Sequence, residues 1–105
     1  MSHAIFKYTL PPIQGDHQLT LPVGARILSV GKQDHQLCLW VIFPAAETPK
    51  KDGTYKLEPK EFESRHFTIH FTGQYFLYDS RAETYVGTVQ VGPLVCHVFE
   101  VRKDV

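Results

Sequence analysis

The sequence lacks the motifs by which many enzymes can be recognised. No serine lies in a nucleophile elbow, no glycine-rich loop suits a phosphate group, and no pair of carboxylates is singled out by its surroundings. No apolar run approaches the roughly 18 residues of a membrane-spanning helix. Met1 to Ile5 contains neither the basic nor the apolar region of a signal peptide. We therefore expect a cytoplasmic, non-enzymatic protein that needs no cofactor and does not enter a membrane.

The sequence also lacks an excess of either charge. Eleven basic and eleven acidic residues give a formal net charge of zero, so no overall field would steer the chain toward a polyanion. The four lysines between Pro44 and Ser64 surround Tyr55, but five acidic residues in the same segment neutralise them locally. A nucleic-acid partner is therefore not expected.

Cysteine is scarce, and Cys38 and Cys96 each lie in an apolar, strand-like run. Reduced, buried thiols that pack as small hydrophobic side chains are ordinary at such positions. A disulfide would require the two Cα atoms to lie within about 7 Å of each other, which the sequence does not determine. Neither cysteine stands in a signature of catalytic nucleophiles, so no catalytic residue is predicted.

Short strand-like runs separated by proline and glycine make up most of the chain. Seven or eight such runs in 105 residues, with 43% hydrophobic residues, predict an all-β single domain, either a small β-sandwich or a partly open barrel of antiparallel strands. Near the end, Gly92-Pro93 either turns between two strands or bends one continuous strand. The core is predicted to contain Leu39, Val41, Phe67, Ile69, Phe71, Val89, Val98 and Phe99.

The most strongly patterned stretch covers residues 26–43. Asp34-His35 interrupts two apolar runs with the spacing of a hairpin turn. Because both faces of the second run are apolar, that strand is predicted to be central and covered on both sides. A helix is the competing interpretation of so short an apolar run, but the β-branched and aromatic content favours a strand.

Residues 44–64 differ from the rest in being rich in proline and charge. Asp52-Gly53 is a strong turn signal, so we predict a protruding loop or hairpin at about 44–64. A long excursion of this kind is either a binding segment or a solvated segment without a role, and the sequence leaves both alternatives open.

The clearest alternation lies at residues 65–72, where Phe67, Ile69 and Phe71 share one face. It predicts a half-exposed strand with polar residues, among them Thr68, on the solvent side. Residues four apart on a strand are separated by about 13 Å. His66 and His70 are therefore too far apart to bind one metal ion, and no metal site is predicted.

Aromatic residues are concentrated after Gly73, at Tyr75, Phe76, Tyr78 and Tyr85. Such residues ordinarily pack a small core or cover the end of a sheet. The functional alternative is a recognition patch for a protein partner or for stacking a nucleobase. The candidate binding residues are Lys50, Lys51, Tyr55, Tyr75, Tyr78 and Arg81.

Three blocks carry a resemblance to a known family: HAIFKYTLPP near the start, LPVGARILSVGKQDHQLCLWVIF in the centre and YVGTVQVGPLVCHVFE at the end. They are similar to small, functionally uncharacterised proteins common in tailed phages and prophages. The blocks are strand-like core segments, so the resemblance implies a shared fold and supplies no site residues. Membership implies a phage-encoded accessory protein that acts in the cytoplasm of the infected host cell.

Three functional hypotheses follow. The first is an interaction or inhibitor module that binds a host or anti-phage defence protein through the 44–64 segment and nearby aromatic residues. The second is a small-molecule binder, such as a sponge for a nucleotide signal, at an oligomer interface among Tyr75, Tyr78 and Arg81. The third is a minor virion component. A homo-oligomer is expected because exposed strand edges would be covered by pairing across a two-fold axis.

Overall fold

The computed structural model describes residues 2–103, which fold into nine strands without a helix. The all-β prediction is confirmed, with nine strands where seven or eight were expected and without closure into a barrel. The strands are β1 (His3–Leu10), β2 (Gly15–Pro22), β3 (Arg26–Gln33), β4 (Gln36–Pro44), β5 (Ala46–Pro49), β6 (Tyr55–Glu58), β7 (Phe62–Phe71), β8 (Glu83–Val91) and β9 (Leu94–Val101).

Two antiparallel sheets pack face to face as a sandwich. One has the strand order β1-β4-β3, and the other has the order β2-β7-β9-β8. Strands β5 and β6 pair only with each other and form a two-stranded ribbon between the end of β4 and the start of β7. The Cα atoms span 54 × 34 × 17 Å, so the molecule is long and thin.

The turn between β3 and β4 is the predicted two-residue hairpin. Asp34 and His35 both have positive φ angles, 52° and 63°. Positive φ at both central residues defines the type I′ turn, whose twist matches that of the flanking strands. Val91 and Leu94 likewise pair across Gly92-Pro93, so this segment forms a turn between two strands and does not bend a continuous one.

The inner face of β4 supplies much of the core. Leu37, Leu39, Val41 and Phe43 are fully buried. The opposite sheet contributes further fully buried side chains, Phe67, Ile69, Cys96 and Val98. Most of the predicted core residues lie in this layer, and Phe71 packs against it while remaining partly exposed.

Two predictions about burial are wrong. The outer face of β4 is not fully covered, since Trp40 and Ile42 are partly exposed and Cys38 is buried there. The reason is that the second sheet packs on one face of β4 only. Phe99 is not part of the core, because it lies beside Tyr85 in the ladder and faces outward from the four-stranded sheet.

A partly buried ion pair links three segments at the inner face. Arg65 of β7 donates to both carboxylate oxygens of Glu100 on β9, and its Nη1 donates to the carbonyl of Ala25 at 2.8 Å. The hydrogen bond to Glu100 raises the pKa of the Arg65 guanidinium above its usual value. Two parallel bonds to one carboxylate fix the geometry of the pair as well as its energy.

The two sheets approach most closely where β3 faces β8. Each of these strands has a register shift, between Ile27 and Ser29 in β3 and between Tyr85 and Gly87 in β8. A Cβ atom placed on Gly87 would lie 2.2 Å from Cγ1 of Val30. Glycine at this position therefore permits the close approach, because any side chain would overlap the valine.

We expect the substitution Gly87→Ala to destabilise the fold by about 1–3 kcal/mol, the usual cost of overpacking a core. Urea denaturation of the wild type and the variant measures this loss. In a Val30→Ala protein, Gly87→Ala should lower the free energy of unfolding by a smaller amount, because the valine methyl group that the new Cβ would overlap is absent. Equal losses in the two backgrounds would show that the Val30 contact is not the cause.

Candidate functional site

Residues 73–82 cross the outer face of the four-stranded sheet, and we call this segment the strap. Its backbone is hydrogen-bonded at the two ends, where Gln74 N donates to Phe71 O at 3.2 Å and Ala82 N donates to Asp79 O at 3.0 Å. Residues 75–78 make no backbone hydrogen bond to any part of the described chain. The strap is therefore an extended segment held mainly by its side chains.

Side chains of the strap alternate between sheet and solvent. Phe76 and Tyr78 contact aromatic rings of the sheet. Tyr75 and Leu77 point away, and both are completely exposed, at 101% and 98%. A large aromatic and a large aliphatic side chain thus project side by side from one short segment.

The sheet-facing rings build an aromatic cluster around Phe99. Tyr78 and Tyr85 meet Phe99 edge-to-face, with ring centroids 5.8 Å and 5.6 Å away. Phe76 stacks on the imidazole of His70 with centroids 3.6 Å apart and an angle of 8° between the rings. The two edge-to-face contacts have the geometry that aromatic pairs prefer, whereas the Phe76–His70 stack is closer and more nearly face to face than usual. Together these ring contacts hold the strap on the sheet.

A polar pair is buried beneath the strap. His70 is 9% exposed, and neither of its ring nitrogens has a hydrogen-bond partner within residues 2–103. The nearest carboxylate is that of Glu83, whose Oε1 lies 3.6 Å from His70 Nε2 and accepts from Thr68 Oγ1 at 3.3 Å. The other oxygen, Oε2, accepts from the backbone N–H of Asp79 at 3.0 Å. Buried polar atoms are normally hydrogen-bonded, so His70 is an exception that calls for an explanation.

Sequence reasoning placed Thr68 and His70 on an exposed face, and this prediction is wrong because both are buried. Phe76 of the strap covers His70, and Thr68 lies beside Glu83. Alternation assigned them correctly to the outer face of β7. It did not show that the segment immediately after β7 returns over that face. The available signal was the cluster of aromatic residues after Gly73, which is typical of a segment that covers a sheet.

His97 lies in a second polar network on the same face of the sheet. Its Nε2 lies 2.7 Å from Thr72 Oγ1, and its Nδ1 lies 2.9 Å from Thr88 Oγ1. The Tyr85 hydroxyl extends the chain to Thr88 at 2.6 Å. Both imidazole nitrogens are therefore occupied by hydroxyl groups. No cluster of three or more His, Cys, Asp or Glu side chains in the described part of the chain has the geometry of a metal site.

The two cysteines are separate, buried thiols. Cys38 lies on the outer face of the three-stranded sheet, and Cys96 lies in the core between the sheets. Burial raises the pKa of the Cys96 thiol, which lowers the fraction of reactive thiolate. The environment of Cys96 thus opposes nucleophilic chemistry.

The six candidate binding residues fall on two separate surfaces. Three of the residues lie on the ribbon and three lie on the strap. Within residues 2–103, no hydrogen bond, ion pair or ring contact connects a residue of the first three with one of the second three. The ribbon group is Lys50, Lys51 and Tyr55, and the strap group is Tyr75, Tyr78 and Arg81.

Leu57 on the ribbon was missed by sequence reasoning. Glu47 pairs with Leu57 and Pro49 pairs with Tyr55 across the ribbon, so these four residues share one face. Tyr55 and Leu57 are 64% and 39% exposed. At the base of the ribbon is a cavity of about 440 Å³, lined by Val23, Pro44, Ala45, Ala46, Lys60 and Glu61.

Together these features define a small all-β sandwich protein with a projecting ribbon and an aromatic strap. In the part of the chain that the structure describes, no helix has the length and apolarity to cross a membrane. The chain belongs to the family described as a domain of unknown function, DUF7352, whose profile matches residues 1–105. The expectation that the chain belongs to an uncharacterised family is confirmed. No curated protein and no solved structure matches the chain.

Asp79 forms hydrogen bonds with Arg81 at the end of the strap, and these bonds affect the titration of its carboxyl group. Oδ1 of Asp79 accepts from the side chain of Arg81 at 3.2 Å and from its backbone N–H at 2.9 Å. These bonds lower the pKa of Asp79. A carboxyl group with a depressed folded-state pKa adds stability above its unfolded pKa and loses that contribution as the pH falls through the folded value.

We expect Arg81→Ala to raise the pKa of Asp79 partway back toward its ordinary value, because the side-chain bond is lost and the backbone bond remains. Titration of the side-chain carboxyl carbons by NMR measures the change. Asp52 is the internal control, since Thr54 holds its pKa low on the distant ribbon. An unchanged Asp79 titration in the variant would show that Arg81 is not responsible for the shift.

Proposed function

We propose that this protein is a non-enzymatic binding module that engages another protein through the strap. The observation that carries the proposal is the complete exposure of Tyr75 and Leu77 on a segment whose central backbone is unpaired. Adjacent exposed apolar side chains mark interaction sites. Tyrosine is also among the residues that contribute most to binding energy at protein interfaces.

The strap offers a partner both side chains and main chain. Phe76 and Tyr78 anchor the segment to the sheet, so the outward Tyr75 and Leu77 are already held in place before binding. Such preorganisation reduces the entropy lost on association. The extended backbone of residues 75–78 is suited to pairing with a strand of the partner. Arg81 adds an exposed charge at the edge of this surface.

We further propose that the protein is phage-encoded and acts in the cytoplasm of the infected cell, where it inhibits a host or anti-phage defence protein. The resemblance of three strand-like blocks to phage and prophage proteins supports this setting. The buried Cys96 thiol and the doubly hydrogen-bonded His97 support a role without catalysis. Lys50 and Lys51 supply a separate charged contact at the tip of the ribbon.

Affinity purification from infected cells tests the strap. The tagged wild type is expected to recover a stoichiometric partner, and the variant Tyr75→Ser/Leu77→Ser is expected to bind it at least about tenfold more weakly. Ile13→Ser is the matched control, because Ile13 is also an exposed apolar residue but lies on the β1–β2 connection. Absence of a partner for the wild type, or equal recovery by the strap variant, would refute the proposal.

Small-molecule binding is a second candidate function, and the stacked ring on His70 beside the Glu83 carboxylate favours it. Phe76 covers one face of the imidazole. A planar heterocycle such as a nucleobase would stack on that face if it displaced Phe76. Its N–H groups would then find an acceptor in Glu83, whose carboxylate lies beside His70. The site differs from the predicted one, since its polar groups lie beneath the strap.

If Phe76 occupies such a site, Phe76→Ala should bind a nucleobase more tightly than the wild type, because the competing ring is removed. NMR titration of both proteins with guanosine, which carries adjacent N–H donors, measures the difference. Tyr75→Ala serves as the control, since Tyr75 faces solvent. The same or weaker binding by Phe76→Ala, or no binding to any of the proteins, would count against this second function.

A further inference from the structure

The β5–β6 ribbon lacks the support that every other strand receives. Its two strands pair only with each other, and an isolated two-stranded hairpin is marginally stable in water. Tyr55 remains largely uncovered, and Leu57 is partly exposed. We infer that the ribbon is a dimerisation arm, which pairs through the outer edge of β6 with the same strand of a second copy of this chain. This inference is independent of the strap.

The free edge of β6 is better suited to pairing than that of β5. Pro49 in β5 has no N–H to donate, and Ser2 already occupies part of that side. Ala45 N donates to Ser2 O at 2.9 Å, and Ser2 Oγ donates to Glu47 Oε1 at 3.3 Å. Strand β6 contains no proline, and within residues 2–103 its backbone bonds only to β5.

The sequence of β6 is self-complementary in one antiparallel register. With the two-fold axis at Leu57, each Leu57 opposes its symmetry mate and each Lys56 opposes Glu58 of the second copy. Directly opposed residues share a face and interact. The register therefore forms two Lys–Glu pairs on one face and joins the leucines on the other. Within one chain Lys56 Nζ already lies 2.7 Å from Glu58 Oε1, so both charges stand at this edge.

In the same arrangement, the faces of the two ribbons that carry Tyr55 and Leu57 become one continuous surface. Pairing of β6 with its mate extends the ribbon to a four-stranded sheet in the order β5-β6-β6-β5. Tyr55 of the second copy falls opposite Pro59, which follows β6 directly. Pro59 has no N–H, so this pair forms a single bond, from the Tyr55 N–H to the Pro59 carbonyl. The charge complementarity of Lys56 and Glu58 identifies a second copy as the occupant of the edge. Because β6 has only four residues, we expect a weak, concentration-dependent dimer.

A charge exchange tests the register. Sedimentation equilibrium of the full chain over a wide concentration range should show a monomer–dimer equilibrium for the wild type. Lys56→Glu should raise the dissociation constant about tenfold or more, because both cross-strand pairs become Glu–Glu pairs. The double variant Lys56→Glu/Glu58→Lys should restore it to within about threefold, since opposite charges face each other again. Lys32→Glu, a charge change on β3, is the control and should leave the equilibrium unchanged.

A second variant, Leu57→Lys, tests the axis by placing two lysines against each other, and it should leave only monomer. Thermal unfolding should be little changed, because Leu57 lies outside the core. The inference is overturned if the wild type is monomeric at every concentration. Binding of a different protein to β6 would not rescue it. It is also overturned if the double variant dimerises as weakly as Lys56→Glu, or if Leu57→Lys still dimerises.

Discussion

Burial of one face of β4 against the second sheet is the interaction on which the rest of the structure depends. Each fully buried Leu, Val or Phe side chain contributes about 1.5–3 kcal/mol through removal from water, and β4 contributes four such residues in alternation. The same contact orients the two sheets and brings β3 onto β8, where Gly87 leaves room for Val30. Since this burial uses the inner faces, the strap and the ribbon lie outside the core.

Local preferences made much of the fold predictable. Asp34 and His35 tolerate the positive φ angles of a tight turn, and the alternation in β7 identified its inner residues. Burial on the outer faces was not predictable, because a period of two assigns a residue to a face without showing what covers that face. Trp40 was expected to be covered and is partly exposed, whereas His70 was expected to be exposed and is buried.

The candidate site was predictable only in part for a related reason. Composition indicated that the charged segment at 44–64 and the aromatic residues after Gly73 lie outside the core, but it did not show that they form two separate surfaces. Contacts between distant segments determine these surfaces, as when Tyr78 of the strap packs against Phe99 of β9. The strap depends on ring stacking and a few end bonds, so its local opening requires less free energy than opening of a core strand.

The thickness of the molecule determines where any ligand can bind. Packed sheets lie about 10 Å apart, and the Cα atoms of the described residues extend only 17 Å in the thinnest direction. One layer of side chains fills the space between the sheets, and Phe43 and Phe67 are among the largest of them. An internal chamber of the kind that wide β-barrels enclose has no room here. Any ligand or partner would therefore have to bind at the outer surfaces and edges, where substitutions leave the layer that holds the two sheets together undisturbed.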